Sequence, residues 1–227
     1  MRGTPRQTQL ITEMDPRSPV VEAYRNLRTN LRYAVAGGRL RSLLVTSPGP
    51  GEGKSTITAN LACVVAQAGQ RVIVVSADLR KPALSQYFGL AAYGRGLSNI
   101  LIGEATADEC LTPTSEPNLM ILTSGPKPPN PAELLETERM RELVKELEDR
   151  ADLVIYDAPP TIPVTDASII APLVDGVLLV INAGTVPREL AKRSKEQFAA
   201  VGARVVGVVL NRVSMRDGYS YYYYYYE

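Results

Sequence analysis

The chain has 227 residues, of which 45% are hydrophobic and 22% are charged, and its formal net charge is +1. This length suits one α/β domain with a sizeable core, and the near-neutral charge gives no general case for binding nucleic acid or an anionic membrane. The absence of histidine excludes Ser-His-Asp and Cys-His triads, and two lone cysteines cannot build a four-cysteine zinc site or a disulfide framework. Metal chemistry through carboxylates, hydroxyls and phosphates remains open.

Three segments are predicted along the chain. Residues 1 to 17 are polar and lack periodicity, which predicts a flexible N-terminal arm, and residues 18 to 214 are predicted to form one domain. Residues 215 to 227 are predicted to form a flexible tail rich in tyrosine. No segment approaches the roughly 18 to 20 apolar residues that a membrane span requires, and the N-terminus has no apolar signal core. We therefore expect a cytoplasmic protein.

A first helix is predicted between Ser18 and the Gly37-Gly38 pair. Ser18 is a good N-cap residue, and Pro19 suits the first helical position. Apolar residues recur at helical spacing at Val20, Tyr24, Leu27, Leu31 and Val35. A charged stripe runs beside them and consists of Glu22, Arg25, Arg28 and Arg32. Taken alone, such a stripe is most simply a solvent-exposed face.

Strands and helices then alternate along the chain. Apolar strands are predicted at residues 42–46, 72–75, 119–123, 153–156, 177–181 and 205–210. Helices are predicted at residues 54–68, 132–149 and about 187–201, with short helices and loops at 82–118. Continuous apolar strands that alternate with helices predict an α/β fold with a doubly wound, mainly parallel sheet and helices on both faces.

The most informative segment joins the strand at 42–46 to a glycine-rich loop and then to a helix. In this arrangement backbone N–H groups surround phosphates, the lysine reaches the β- and γ-phosphates, and the serine hydroxyl coordinates Mg²⁺. The motif GxxxxGK[ST] would place its first glycine at Pro48, but the strand-loop-helix context holds. This context predicts the fold of P-loop NTPases, with ATP and Mg²⁺ as cofactors. The predicted nucleotide-binding residues of the loop are Gly51, Glu52, Gly53, Lys54, Ser55 and Thr56.

Two aspartates follow buried strands at the same predicted edge of the sheet. Asp157 ends the strand at 153–156, where α/β proteins bind ligands, and it is the natural carboxylate to orient Mg²⁺. Asp78 follows the strand at 72–75. A helix cap at Asp157 and an ordinary charged turn at Asp78 are the alternative interpretations. The phosphate loop and the two segments that contain Asp78 and Asp157 are all predicted at one edge of the sheet, which favours a single common site.

The segments PGEGKST (50–56), SADLRKP (76–82) and DAPP (157–160) together resemble the bacterial tyrosine kinases of capsule and exopolysaccharide export. The family pattern is a phosphate loop followed by DxDxR and DxPP, and the resemblance covers about residues 18–227. It implies that Asp78 helps to bind Mg²⁺ and activates the tyrosine hydroxyl. The implied catalytic residues are Lys54, Asp78 and Asp157, and the implied metal ligands are Ser55, Asp78 and Asp157.

Further segments extend the resemblance. EAYRNLR (22–28) is similar to the family's ExxRxxR helix, which implies a ring-like homo-oligomer with Glu22, Arg25 and Arg28 at its interface. GVVLNRV (207–213) is similar to the base-binding strand end, which implies that Asn211 lies near adenine. The tail resembles the autophosphorylation cluster, whose tyrosines here are Tyr219, Tyr221, Tyr222, Tyr223, Tyr224, Tyr225 and Tyr226.

Two positions depart from related patterns. Partition and septum-positioning ATPases carry an additional lysine at the position of Gly49, so its absence favours the kinases. Ser76 stands where the first aspartate of DxDxR is expected. Serine has a hydroxyl but no charge, so it cannot act as a base near neutral pH. Phosphoryl transfer depends mostly on positioning and electrostatics, so this loss need not abolish activity.

The sequence therefore predicts an autophosphorylating protein-tyrosine kinase that uses Mg-ATP. We expect the tail of one subunit to be phosphorylated by its neighbour. The resemblance implies a membrane activator, a polysaccharide co-polymerase, on a separate chain or on a missing part of this chain, which would recruit the kinase to the inner face of the membrane. Two alternatives stay open: a nucleotide-switch ATPase that phosphorylates no protein, and a catalytically weak regulator that binds nucleotide.

Overall fold

Seven strands form one sheet in the computed structural model, which describes residues 10–35, 40–91 and 93–213. In chain order they are β1 (Ser42–Thr46), β2 (Val72–Ser76), β3 (Leu111–Pro113), β4 (Leu119–Leu122), β5 (Leu153–Asp157), β6 (Gly176–Asn182) and β7 (Val205–Asn211). Across the sheet the order is β3-β4-β2-β5-β1-β6-β7. All neighbouring strands are parallel except β3 and β4. The doubly wound, mainly parallel architecture is confirmed.

The described residues contain nine α-helices and two short 3₁₀-helices. The α-helices are α1 (Pro19–Tyr33), α2 (Lys54–Gln67), α3 (Leu84–Tyr87), α4 (Leu97–Ile102), α5 (Ala107–Cys110), α6 (Pro131–Leu135), α7 (Glu138–Arg150), α8 (Asp166–Ile170) and α9 (Arg188–Ala200). The 3₁₀-helices are Ile11–Glu13 and Ala171–Leu173. No helix in these described segments is long and apolar enough to cross a membrane.

Both faces of the sheet are covered, which explains why its central strands are apolar throughout. All five residues of β1 are buried. Leu43 and Val45 pack in one core cluster with residues of α1 and α2, whereas Leu44 packs in a second cluster with residues of α7 and α8. Since successive strand residues point to opposite faces, a strand covered on both sides must be apolar at every position.

Two elements differ from the sequence prediction. The helix expected over 132–149 is divided into α6 and α7, because Thr137 is extended (φ −67°, ψ 156°) and its hydroxyl donates to the carbonyl of Leu134 at 2.8 Å. Strand β3 was not predicted within 82–118. It has only three residues, none of them buried, and it pairs with β4 alone, so no apolar pattern marks it.

The N-terminal part of the chain packs on the domain from residue 10 onwards. Leu10 and Ile11 are buried in the cluster that contains α1 and α2, whereas residues 15–17, just before α1, are exposed. Helix α1 begins as expected, with the Ser18 hydroxyl accepting from the N–H of Val20. The predicted apolar stripe is displaced at its start, because Val21 is buried and Val20 is 48% exposed. Residues 1–9 of the predicted arm and the predicted tail, 215–227, lie outside the described residues.

The carboxyl ends of β1, β2 and β5 meet at one edge of the sheet. Strand β5 lies between the other two, with Val45 in register with Asp157 and Ser76 in register with the same residue. The phosphate loop after β1, the SADLRKP segment after β2 and Asp157 are therefore neighbours. The candidate site that was predicted from the sequence lies at this edge.

Candidate active site

The phosphate loop turns sharply at two glycines before α2 begins. Gly51 has φ +75° and Gly53 has φ +97°, in the left-handed region that disfavours residues with a Cβ atom. Gly53 has a second constraint, since a Cβ atom there would lie 2.2 Å from Nδ2 of Asn211. It is also the N-cap of α2, so the first N–H groups of that helix, which have no partner within the helix, face the loop. Such a loop provides a concave set of donors for phosphate oxygens.

Hydrogen bonds of Glu52 and Asn211 connect the loop to the ends of β6 and β7. The buried Glu52 carboxylate accepts from the N–H of Gly49 and, at 3.2 Å, from the N–H of Asn182 at the end of β6. The Asn211 side chain donates to the carbonyl of Glu52 at 2.8 Å and accepts from the N–H of Arg212 at 2.9 Å. Burial raises the pKa of Glu52, and the two backbone hydrogen bonds act to lower it. Glu52 therefore shapes the loop through its side chain.

Lys54 lies between two buried carboxylates. Its Nζ is 3.0 Å from Oδ2 of Asp78 and 3.5 Å from Oδ1 of Asp157, and these side chains are 12%, 4% and 0% exposed respectively. The Ser55 hydroxyl donates to Oδ2 of Asp157 at 2.6 Å. The structure thus brings together the four side chains that the sequence placed at the centre of the site, and we refer to them as the site cluster.

Opposing charges determine ionisation in the site cluster. Burial acts to lower the pKa of Lys54, but the charges of Asp157 and Asp78 outweigh it and raise the pKa above its usual value. Burial raises the pKa of Asp157, while the charge of Lys54 and the hydrogen bond from Ser55 act to lower it. Lys54 therefore stays an ammonium near neutral pH, as a phosphate-binding lysine must.

Asp78 and Arg80 have different partners, although they are close in sequence. Oδ1 of Asp78 accepts from the backbone N–H groups of Arg80 and Lys81 at 3.2 and 2.9 Å. The Arg80 guanidinium binds Asp166 instead, in a two-point contact at 2.9 and 2.8 Å, and Asp166 is fully buried. This pair fastens the loop after β2 to the start of α8. Asp166 was not predicted from sequence, because no motif signals its distant partner.

The side chains present fit a magnesium ion and a nucleotide. A hydroxyl at Ser55 and carboxylates at Asp157 and Asp78 are hard oxygen donors of the kind that Mg²⁺ prefers. No group of three or more His, Cys, Asp or Glu side chains in the described ranges is placed to hold a metal ion alone. Mg²⁺ is usually held by one or two carboxylates together with substrate phosphates, so the donor set agrees with that mode of binding.

Comparison with known proteins identifies the family. The CobQ/CobB/MinD/ParA nucleotide binding domain family (CbiA) matches residues 43–226. Tyrosine-protein kinase YwqD of Bacillus subtilis is 40% identical over 223 residues, which are 97% of this chain and 94% of that protein. Tyrosine-protein kinase wzc of Salmonella typhimurium is 35% identical over 98% of this chain and 31% of its own length. The chain belongs to the bacterial tyrosine-kinase family.

A solved structure agrees with this assignment. The kinase domain of Escherichia coli tyrosine kinase ETK superposes with a TM-score of 0.85 at 31% sequence identity, and the match covers 94% of this chain and 85% of that one. The expected enzyme class, a protein-tyrosine kinase with a nucleotide-binding P-loop domain, is confirmed. The site cluster is the part of this kinase where three sequence motifs converge.

Ser76 lies inside the site of the kinase. It is fully buried at the end of β2, in register with Asp157. Val74 and Ile155, two residues earlier on their strands, both pack in the α2-side cluster, so Ser76 and Asp157 face the same side of the sheet. The Ser76 hydroxyl has no hydrogen-bond partner among the described residues. An unpaired buried hydroxyl costs free energy, so the Ser76 side chain adds no stabilising hydrogen bond at this edge of the sheet.

Parts of the charged stripe on α1 already have partners within the kinase. Glu22 and Arg25 pair at 3.0 Å with side chains about half exposed, and Arg25 also donates to the carbonyl of Pro16 at 3.1 Å. Arg28 donates to the carbonyl of Val64 at 3.0 Å, in the last turn of α2. These contacts neither require nor prevent an intersubunit role for the stripe. The predicted phosphorylation sites, Tyr219 and Tyr221 to Tyr226, lie outside the described residues.

Proposed function

We propose that this kinase uses Mg-ATP to phosphorylate the tyrosines of its own C-terminal tail, between subunits of an oligomer. The observation that carries the proposal is the site cluster, in which Lys54 and Ser55 of the phosphate loop contact both strand-end carboxylates. The composition adds support, since seven of the twelve tyrosines are concentrated in the last nine residues.

Each residue of the loop has a distinct proposed role. The N–H groups of Gly51 and Gly53 and the Lys54 ammonium bind phosphate oxygens, and Thr56 contacts phosphate through its hydroxyl. Ser55 and Asp157 would hold Mg²⁺, with Asp78 as a further ligand, and the ion would supply positive charge to offset that of the phosphates. Asn211, which donates to the carbonyl of Glu52 in the loop, would lie near adenine.

We assign proton removal to Asp78. The chain contains no histidine, so a base that acts near neutral pH must be a carboxylate. In the proposed step the tyrosine oxygen bonds to the γ-phosphorus and its proton passes to Asp78. The bond between the γ-phosphorus and the bridging oxygen breaks, and ADP leaves with that electron pair. Lys54 would exchange its contact with Asp78 for one with phosphate, which frees the carboxylate to accept the proton.

The experiment is to incubate the purified full chain with Mg²⁺ and ATP and to map phosphotyrosine by mass spectrometry. Phosphate on the tail that is lost in Lys54→Met supports the kinase proposal. Lys192→Met is the matched control, because Lys192 is an exposed lysine on α9 whose side chain is 79% accessible. Asp78→Asn removes the proposed base but keeps its shape, and it should also abolish tail phosphorylation. Circular dichroism would establish that both site variants fold.

Other outcomes of this experiment would point elsewhere. Release of ADP and phosphate without phosphotyrosine would indicate a nucleotide-switch ATPase. Nucleotide binding without either product would indicate a catalytically weak regulator, which Ser76 favours because its side chain supplies no charge beside Asp157. The test includes a membrane activator, so that a negative result counts against the kinase proposal.

We also propose a membrane activator and a role in capsule or exopolysaccharide synthesis or export. The Salmonella typhimurium relative is matched over only 31% of its length, so it contains sequence without a counterpart in this chain as given. A partner protein that supplies an equivalent part would bring this kinase from the cytoplasm to the inner face of the membrane. Glu22, Arg25 and Arg28 are the proposed contact residues of a ring-like homo-oligomer.

A further inference from the structure

Tyr87 contacts the phosphate loop from outside every motif discussed so far. It is the last residue of α3, and it is partly buried against the cluster that contains α2. Its hydroxyl oxygen lies 2.6 Å from Oγ1 of Thr56, close enough for a strong hydrogen bond in which either oxygen can donate. Thr56 is the loop residue that we expect to contact phosphate through this same hydroxyl.

The backbone of Thr56 is fixed independently of Tyr87. The carbonyl of Thr56 accepts from Nδ2 of Asn60 at 3.0 Å. Asn60 is buried, and its Oδ1 accepts from the N–H of Ile11 at 2.7 Å, so both ends of its amide are engaged. Because the backbone is held in this way, only the direction of the Thr56 hydroxyl remains to be determined.

Thr58 shows where a threonine hydroxyl points in this helix when nothing redirects it. Its Oγ1 donates to the carbonyl of Lys54, four residues earlier, at 2.9 Å, as threonines in helices commonly do. Thr56 is in the first turn of α2, so the residue four positions earlier, Glu52, lies before the helix begins, and its carbonyl receives the Asn211 amide. The Thr56 hydroxyl bonds to Tyr87 instead. Its orientation is therefore set by another element of the fold.

The proton balance of the hydroxyl pair determines what Thr56 can offer a ligand. Two hydroxyls carry two protons, and one proton is used in the bond between them. A phenol is a stronger acid than an aliphatic alcohol, so Tyr87 is the better donor and Thr56 the better acceptor. Burial raises the pKa of Tyr87, and the hydrogen bond with Thr56 acts to lower it, so the phenol keeps its proton near neutral pH. The Thr56 proton is then available to a third group.

We propose that Tyr87 is a positioning residue of the nucleotide site, which donates to Thr56 and thereby directs the Thr56 proton to a phosphate oxygen of the bound nucleotide. The donated bond also polarises the Thr56 hydroxyl, which strengthens the bond that it makes in turn. This inference rests on the proposed nucleotide binding and assigns a new residue to it.

The test is a double-mutant cycle on Mg-ADP affinity, measured by isothermal titration calorimetry with the full chain. Tyr87→Phe keeps the ring and removes only the hydroxyl, and it should weaken binding by about threefold to tenfold. Thr56→Val keeps the branched shape and should weaken binding at least as much. In the Thr56→Val background, Tyr87→Phe should have no further effect, because the hydroxyl that it orients is gone. Thr58→Val is the control and should leave the affinity unchanged.

The outcomes separate this inference from the proposed function. If the wild-type chain binds Mg-ADP and Tyr87→Phe binds equally well, the role of Tyr87 is refuted and the nucleotide site stands. Equal weakening by Tyr87→Phe with and without the Thr56 hydroxyl would also refute it, since that would show a general packing effect. A wild-type chain that does not bind Mg-ADP would refute both proposals. Thermal unfolding without nucleotide would establish that Tyr87→Phe remains folded.

Discussion

The kinase places the same types of charged residue in two opposite settings. In the site cluster, Lys54 and Asp78 form an ion pair of 3.0 Å with side chains only 12% and 4% exposed. On the surface of α1, Glu22 and Arg25 form a pair of the same 3.0 Å separation with side chains 50% and 42% exposed. Distances alone would rank the two pairs as equivalent. Their surroundings make them different, because water screens the pair on α1 and is excluded from the site cluster.

This difference has a consequence for function. Two buried carboxylates share one ammonium in the site cluster, so their charges are not balanced within it. Such an arrangement costs stability that an apolar core of the same volume would not. It suits a site whose carboxylates must still accept a metal ion or a proton. The pair on α1 has no such excess charge, and its removal should cost little.

The largest expected effect comes from removal of the shared cation. Lys54→Met leaves Asp78 and Asp157 buried without a counter-charge, and we expect the free energy of unfolding at pH 7 to fall by about 3 kcal/mol. Arg25→Met, the matched change on α1, should lower it by less than about 0.5 kcal/mol. Urea unfolding followed by circular dichroism measures both. Equal effects of the two substitutions would contradict the comparison.

The same variant also tests the origin of the effect. Burial raises the pKa of Asp157, so this carboxyl takes up a proton more readily than an exposed one as the pH falls. Once protonated, it no longer needs the Lys54 charge. The stability difference between wild type and Lys54→Met should therefore narrow as the pH is lowered from 7. A constant difference would indicate lost packing rather than lost charge.

A third carboxylate in the site cluster would increase its excess of negative charge. Ser76→Asp places a third acid in register with Asp157 and on the same face of the sheet. Without Mg²⁺, we expect a loss of about 2 kcal/mol in unfolding free energy, because like charges then share one lysine. With Mg²⁺ and ATP, we expect faster tail phosphorylation and half-maximal activity at a lower Mg²⁺ concentration. Ser76→Asn is the uncharged control, and equal behaviour of the two variants would exclude a charge effect.

The sequence predicted the site cluster because its parts obey local rules. Continuous apolar runs marked β1, β2 and β5 almost to the residue, and the carboxyl ends of parallel strands must share an edge. Asp157 ends β5, Asp78 lies two residues after β2, and Lys54 begins α2 after the loop that follows β1. Their meeting therefore needed no knowledge of side-chain packing.

Contacts between segments that carry no common motif could not be predicted. The Arg80–Asp166 pair and the Tyr87–Thr56 pair each join residues from different elements, and nothing in either segment alone indicates its partner. The division between α6 and α7 was also missed, since the extended backbone of Thr137 does not interrupt the apolar period. Tertiary context determined these features.

The charged stripe on α1 has an observed contact within the kinase and a proposed role between subunits. Arg28→Ala removes the bond to the Val64 carbonyl near the C-terminus of α2, and it should lower the unfolding free energy by about 1 kcal/mol. Glu22→Ala with Arg25→Ala should have a smaller effect on the unfolding free energy. If the stripe forms the oligomer interface, the triple alanine variant should sediment as a monomer in analytical ultracentrifugation. An unchanged mass would refute that role.

The smallest effect concerns the buried side of α1. Burial raises the pKa of Tyr24 to about 12, against an ordinary value of 10.0, while the hydrogen bond with Asn60 acts to lower it. The unfolded chain therefore loses this proton first as the pH rises. The stability that the protonated form contributes is complete below pH 10 and is lost as the pH approaches about 12.

Tyr24→Phe isolates this contribution, because phenylalanine does not ionise in either state. Between pH 8 and 10.5, the unfolding free energy of wild type should fall by about 0.8 kcal/mol more than that of the variant. Tyr33→Phe is the control from the same helix, since Tyr33 is 77% exposed and its removal should leave the pH profile unchanged. Parallel profiles for wild type and Tyr24→Phe would show that ionisation of Tyr24 costs the same in both states. In that case the contrast between buried and exposed groups would not extend from the site cluster to α1.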